Sequence, residues 1–220
     1  MSNATRNSIG SSFRSLAAFG AFCAAATVAA SAWAAGLHEE GFILDAPVWQ
    51  REVASVPSTD WPVDNWYRLT PTAKAIDVRV MKPSDAEGGD PDGTVYVRVP
   101  GAPLKQGLRA TYRFSSQPLH PRVGHEYQLM LAKTGFSFTV ESDGVGTQYN
   151  IVYGGQTHTY LLGLPAAATT IKAIADLDGD AMPDFLVGVG DGTFLLLSTQ
   201  AQPGFNLPSA QLWALADDGC

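Results

Sequence analysis

Cysteine is nearly missing: the 220 residues hold two, Cys23 and Cys220. Cys23 falls in a segment read below as an export leader, so the remainder keeps Cys220 alone and no internal disulfide is expected. An exported chain without that staple is held by its core, by a metal or by a partner. Charge is sparse as well: 16% of residues are Asp, Glu, Lys or Arg, and the balance is acidic, at −7. An acidic chain gains nothing from a phosphate backbone, which argues against nucleic acid as a partner, and it is poorly suited to an anionic membrane surface. Beyond the leader, no stretch of about a dozen residues keeps a 3.6-residue apolar period, so no long amphipathic helix is expected. Catalytic signatures are missing too. There is no Gly-x-Ser-x-Gly elbow, no Gly-rich phosphate loop and no His-Glu-x-x-His.

What is present begins with the leader. Arg6 and Arg14 supply a positive start with no acidic residue. Residues 15–30 are uncharged and built mainly of Ala, with Leu16, Phe19, Phe22 and Val28 among them. Ala32-Trp33-Ala34 then places small residues at the −3 and −1 positions of a cleavage site after Ala34. Residues 1–34 therefore read as a signal peptide for Sec-type export, with a periplasmic or extracellular destination and no membrane insertion after cleavage. Loss of the two arginines moves the net charge from −7 to −9.

The rest reads as β. Residues 94–99 alternate, with Val95, Val97 and Val99 on one face and Tyr96 and Arg98 on the other. Phe136, Phe138 and Val140 oppose Ser137, Thr139 and Glu141 in the same way. A period of two means a strand with one buried face. Further strands are expected at 42–48, 75–81, 108–115, 126–132, 148–153 and 157–162, separated by turns such as Asp92-Gly93, Ser142-Asp143-Gly144 and Gly154-Gly155. Many short strands with Gly, Pro and Asp punctuation predict an all-β fold, as an antiparallel sandwich or an irregular propeller-like sheet. Pro118 and Pro121 weaken any strand near them. They place a boundary near residue 122, between an N-terminal β-rich region at 35–122 and a second β region at 123–220.

The most informative stretch is Asp176-Leu177-Asp178-Gly179-Asp180-Ala181-Met182-Pro183-Asp184. It sets carboxylates at positions 1, 3, 5 and 9 of a short loop between two apolar runs. Four acids this close repel one another unless a cation sits among them. Hard oxygen donors at such spacing suit Ca²⁺. An EF-hand does not fit, because position 12 is Val187, which cannot give the bidentate carboxylate that loop needs.

Strands are expected on both sides of this loop, at 170–175 and 184–189, the second buried on both faces. Asp191-Gly192 then turns into a third at 193–197. The whole stretch resembles the FG-GAP/VCBS repeat, the calcium unit also found in integrin α-chain propellers. The residues carrying the resemblance are Ala175 to Asp180, Pro183 to Val187, and Gly190-Asp191-Gly192-Thr193, within 166–198. It implies a C-terminal calcium-binding region in which Asp176, Asp178, Asp180 and Asp184 give carboxylate oxygens and Met182 gives its carbonyl. Two features depart from the family. Ala181 stands where it usually has Gly, at a cost on the order of 1 kcal/mol if the backbone there is left-handed. The repeat also occurs once, where a propeller needs several blades.

Other side chains invite weaker readings. Trp61, Trp66 and Tyr67 concentrate aromatics that either form a binding surface for sugar rings or a partner protein, or fill the core. His120, His125 and Glu126 lie within seven residues, with Pro121 and Gly124 between them favouring a loop over a zinc site. His158 shares a strand face with Tyr160, in a hydrogen-bonded packing role. Together these features predict an exported calcium-binding β module, non-catalytic, with a structural role or one in binding a protein or glycan. The rival is an extracytoplasmic hydrolase that gathers His120, His125 or His158 with acids. A third reading is a subunit of a cell-surface assembly, joined through the aromatic patch or by oligomerisation through Cys220.

Overall fold

The first strand, β1 (Phe42–Asp45), ends where its last residue turns into a helix cap. Asp45 Oδ1 accepts the Val48 N–H at 2.8 Å, and Pro47 occupies the first turn of α1 (Ala46–Glu52). An aspartate at the cap and a proline just inside it are favourable helix starts, which is why the strand expected over 42–48 stops at Asp45. In the computed structural model, residues 41–54, 66–81, 89–111, 118–142, 144–164 and 167–212 are described. The expected leader, Trp61 and Cys220 lie outside them.

Thirteen further strands follow. They are β2 (Trp66–Pro71), β3 (Ala75–Met81), β4 (Val95–Arg98), β5 (Gly107–Ala110), β6 (Tyr127–Leu131), β7 (Thr134–Ser142), β8 (Thr147–Tyr153), β9 (Gln156–Leu162), β10 (Thr169–Ala175), β11 (Asp184–Val189), β12 (Gly192–Leu196), β13 (Gly204–Asn206) and β14 (Ala210–Leu212). The protein is all-β. One sheet has nine strands in the order β10-β11-β12-β14-β1-β4-β2-β3-β5, and the other has five in the order β13-β9-β8-β7-β6. Pairing is antiparallel except between β1 and β14 and between β13 and β9. The two edges of the larger sheet meet through a bridge between Thr111 and Ala175, so that sheet is nearly closed into a barrel.

Residues 36–220 form one compact unit. Strands from either side of the boundary expected near residue 122 share the larger sheet: β1 pairs on one side with β4 and on the other with β14, from opposite ends of the chain. The physical reason is that a sheet closing on itself recruits whichever strands complete it, whatever their separation in sequence.

Three apolar clusters fill the unit. Ile43, Leu69, Val78, Val97, Leu186 and Leu195 belong to the cluster enclosed by the nine-stranded sheet. Phe136, Phe138, Tyr149, Ile151, Phe185 and Val187 join the five-stranded sheet to β10–β12. Phe42, Leu44, Trp49, Trp66 and Tyr96 pack α1 against the outside of the larger sheet. The ring of Trp49 stacks on Tyr96 at 4.4 Å and meets Trp66 edge-on at 5.1 Å.

This layering buries strands on both faces where an alternating pattern predicts only one. On β4, Val97 faces the enclosed cluster while Tyr96 lies under α1, and Arg98 is buried as well. β11 behaves as its continuous apolar run predicts, with Leu186 turned to one cluster and Phe185 and Val187 to the other. β7 keeps one buried face, through Phe136, Phe138 and Val140.

Trp66 and Tyr67 are 1% and 4% exposed. They pack the interior instead of presenting a surface, because β2 is an inner strand between β4 and β3 and is covered on both sides. Replacing Trp66 with Ala is expected to lower the unfolding free energy by about 3–5 kcal/mol. Urea denaturation measures this, and a loss below about 1 kcal/mol would show the ring to be peripheral.

Candidate metal centre

The acidic loop joins β10 to β11, and the structure draws its side chains inward from both ends. Asp184, the first residue of β11, has no exposure to solvent. Its Oδ2 accepts the Leu177 N–H at 2.6 Å, and its Oδ1 accepts the Ser198 N–H at 2.8 Å and the Ser198 hydroxyl at 2.9 Å. Asp176 Oδ1 accepts the Gly179 N–H at 2.7 Å. Asp178 Oδ2 accepts the Thr199 hydroxyl at 2.6 Å. These bonds curl the loop so that one carboxylate oxygen each from Asp176, Asp178 and Asp184 lies within 4.8 Å of the others, a grouping that could hold a metal ion.

Asp180 is exposed and stands outside this trio. It accepts the Met182 N–H at 2.7 Å and the Ser198 hydroxyl at 2.9 Å, so it reaches Asp184 through a shared hydrogen-bond donor. Met182 enters the network by its N–H. Ala181 has φ +67°, the left-handed backbone that disfavours a side chain. Gly179, at φ +92°, sits where a Cβ would come within 2.5 Å of Lys105 Cδ.

The electrostatics follow from this crowding. Burial, reinforced by the negative charge of Asp178, pushes the Asp184 carboxyl up to about 8, against the pull of the Ser198 and Leu177 donors. Burial also raises Asp178, with Asp180 and Asp176 adding to the shift and the Thr199 hydroxyl opposing it. Tyr153, on the neighbouring sheet, is pushed up to about 12, first by burial and then by the charges of Asp180, Asp184 and Asp178. Its hydroxyl is buried without a hydrogen-bond partner among the described residues. One compensating charge comes from the protein itself. Arg109 on β5 donates from Nε to the Asp176 carbonyl at 2.6 Å and from Nη2 to Asp176 Oδ2 at 2.8 Å.

Several of these partners carry no motif. Arg109 lies 67 residues from Asp176 and arrives only because the sheet closes. Ser198 and Thr199 were within reach of pattern reasoning. The β11–β12 hairpin pairs Phe185 with Leu196, so the residues just past β12 must lie beside Asp184. The turn of that hairpin is Gly190-Asp191, with positive φ on Gly190, one residue earlier than the Asp-Gly pair predicts.

The histidines do not converge. His120 and His125 are exposed, the first against the Thr170 hydroxyl at 3.2 Å and the second edge-on to Tyr127. His158 is buried, stacked on Tyr153 and bonded through Nδ1 to the Gln202 carbonyl at 3.0 Å. A surface cavity of about 750 Å³ is lined by Gln128, Met130, Ser137, Val152 and Tyr153 among others, and by none of these histidines. Among the described residues, the aspartate trio is the one such group of potential metal ligands, and no helix is long and apolar enough to cross a membrane.

No protein-family model, curated protein or solved structure matches the chain.

Because Ala181 holds a left-handed backbone, Ala181→Gly is expected to raise stability by about 0.5–1 kcal/mol, the steric relief exceeding the entropy that glycine adds to the unfolded chain. Thermal or urea unfolding checks the sign; a destabilised variant would contradict it.

Proposed function

We propose that this protein is an exported calcium-binding β module whose ion has a structural role, supporting a surface that binds a protein or glycan, without catalysis. The observation that carries the reading is the convergence of Asp176, Asp178 and Asp184, with Asp184 wholly buried beneath the loop. Two oxygens bound to one calcium ion at about 2.3–2.6 Å stand at most roughly 5 Å apart, which accommodates the spacing of the trio. Three carboxyl groups, one of them removed from water, form a hard oxygen donor set of the kind that suits a divalent cation. The resemblance of residues 166–198 to an FG-GAP/VCBS repeat supports the same ion. By that resemblance, Asp180 and the Met182 carbonyl would complete the ligand set.

Calcium supplies positive charge where the chain has concentrated negative charge. The residues do the rest: Ser198 and Thr199 orient the carboxylates, Leu177 and Gly179 N–H groups fix the loop, and β10 and β11 hold its ends. A bound ion would be held by those residues between β10 and β11 and would stabilise the fold by linkage to free calcium, which is plentiful outside the cytoplasm. Export through the leader at 1–34 is part of the same proposal.

Calorimetric titration of the purified protein with Ca²⁺ tests it. One site is expected in the wild type. Asp178→Ala should abolish the heat, and Asp180→Ala should weaken binding less, since Asp180 stands outside the trio. Free calcium at about a hundredfold over Kd should stabilise the wild type by roughly 2.7 kcal/mol. Equal heats in all three proteins, or no heat in the wild type, would remove the calcium claim.

A further inference from the structure

The nine-stranded sheet closes at its weakest strand. β5 is short, its Leu108 is 70% exposed, and none of its four residues belongs to an apolar cluster. On one side it pairs with β3 through four register positions. On the other, the residues flanking it meet β10 and the acidic loop at two points, the Thr111–Ala175 bridge and the Lys105 N–H bonded to the Leu177 carbonyl at 2.8 Å. Between those points the Arg109 side chain crosses the seam. Arg109 grips both the carbonyl and the carboxylate of Asp176, in a contact where the two side chains are 16% and 22% exposed. The Lys105 stem lies across Gly179, where an added Cβ would come within 2.5 Å of Lys105 Cδ and the lysine would have to move aside.

We propose that residues 105–111 form a strap over the acidic loop, opening and closing as a unit, with Arg109 as its latch. Local opening is cheapest where little apolar surface is buried and the hydrogen bonds are exposed, which describes β5 and no inner strand of the sheet. The latch depends on the guanidinium fork, whose fixed geometry lets one side chain donate to two acceptors at once. A lysine ammonium keeps the charge and loses that geometry. Release uncovers Asp176 and Gly179 while the enclosed cluster stays packed. The contacts of the strap are made within the chain, and hydrogen exchange reads them without added metal.

Hydrogen exchange on the full-length protein tests the strap. In the wild type, the amides of residues 107–110 should exchange by local opening, faster than those of β2 and β8 and with little dependence on dilute denaturant. Arg109→Gln should speed exchange in β5 by about tenfold or more, the scale of losing a charged hydrogen bond, while β2 and β8 stay unchanged. Arg109→Lys should release β5 nearly as far, and it carries the test if the Gln variant does not fold. The proposal is overturned if β5 exchanges in step with β2 and β8, or if both Arg109 variants leave its rates where they were.

Discussion

A carboxylate sealed from water sets the terms for this part of the molecule. Asp184 begins β11 at the base of the acidic loop and touches no solvent. Burying an ionised carboxyl is costly unless its oxygens are bonded, and three donors from two directions meet that need: Leu177 within the loop, and the Ser198 N–H and hydroxyl from beyond β12. Those bonds fix both the curl of the loop and the exit of the chain from the β11–β12 hairpin. Burial also drives its proton affinity upward, and the nearby charge of Asp178 drives it further. The loop is thus an electrostatic load that the fold must balance. Arg109 balances part of it, and calcium, in the proposal made above, the rest.

The same loop is where separate parts of the unit meet. β5 arrives through Arg109 and Lys105, the β6–β7 hairpin through the Thr134 hydroxyl on the Ala181 carbonyl at 2.8 Å, and the segment after β12 through Ser198 and Thr199. Closure of the larger sheet and attachment of the smaller one therefore converge on nine residues. A change in the loop's charge is felt by every element tied to it, which gives a structural ion there more leverage than its size alone implies.

Much of this was written in the sequence where the physics is local. Period-two runs marked β7 and β4, an unbroken apolar run marked β11 as doubly buried, and the carboxylate spacing marked the loop. Ala181 was flagged by the expectation of glycine at its position, and its backbone is left-handed. What pattern reasoning missed depends on long-range assembly. Arg98 looked like an outward residue because nothing in 94–99 reveals that α1 will cover that face. Burial was the favoured reading of Trp66 and Tyr67, because aromatics fill small cores, and both side chains are buried, but composition does not say which side a strand turns. Arg109 became a partner of Asp176 only through closure of the sheet. The start of α1 was legible, in Asp45 and Pro47, but seven residues are too few to show a helical period.

Crystals grown with calcium and measured at a wavelength where calcium scatters anomalously would test the central claim most directly. One anomalous peak is expected, bonded to oxygens of Asp176, Asp178 and Asp184 at about 2.3–2.6 Å. The same crystals with no peak there, and with the three carboxylates held by Ser198, Thr199 and Arg109 alone, would contradict it.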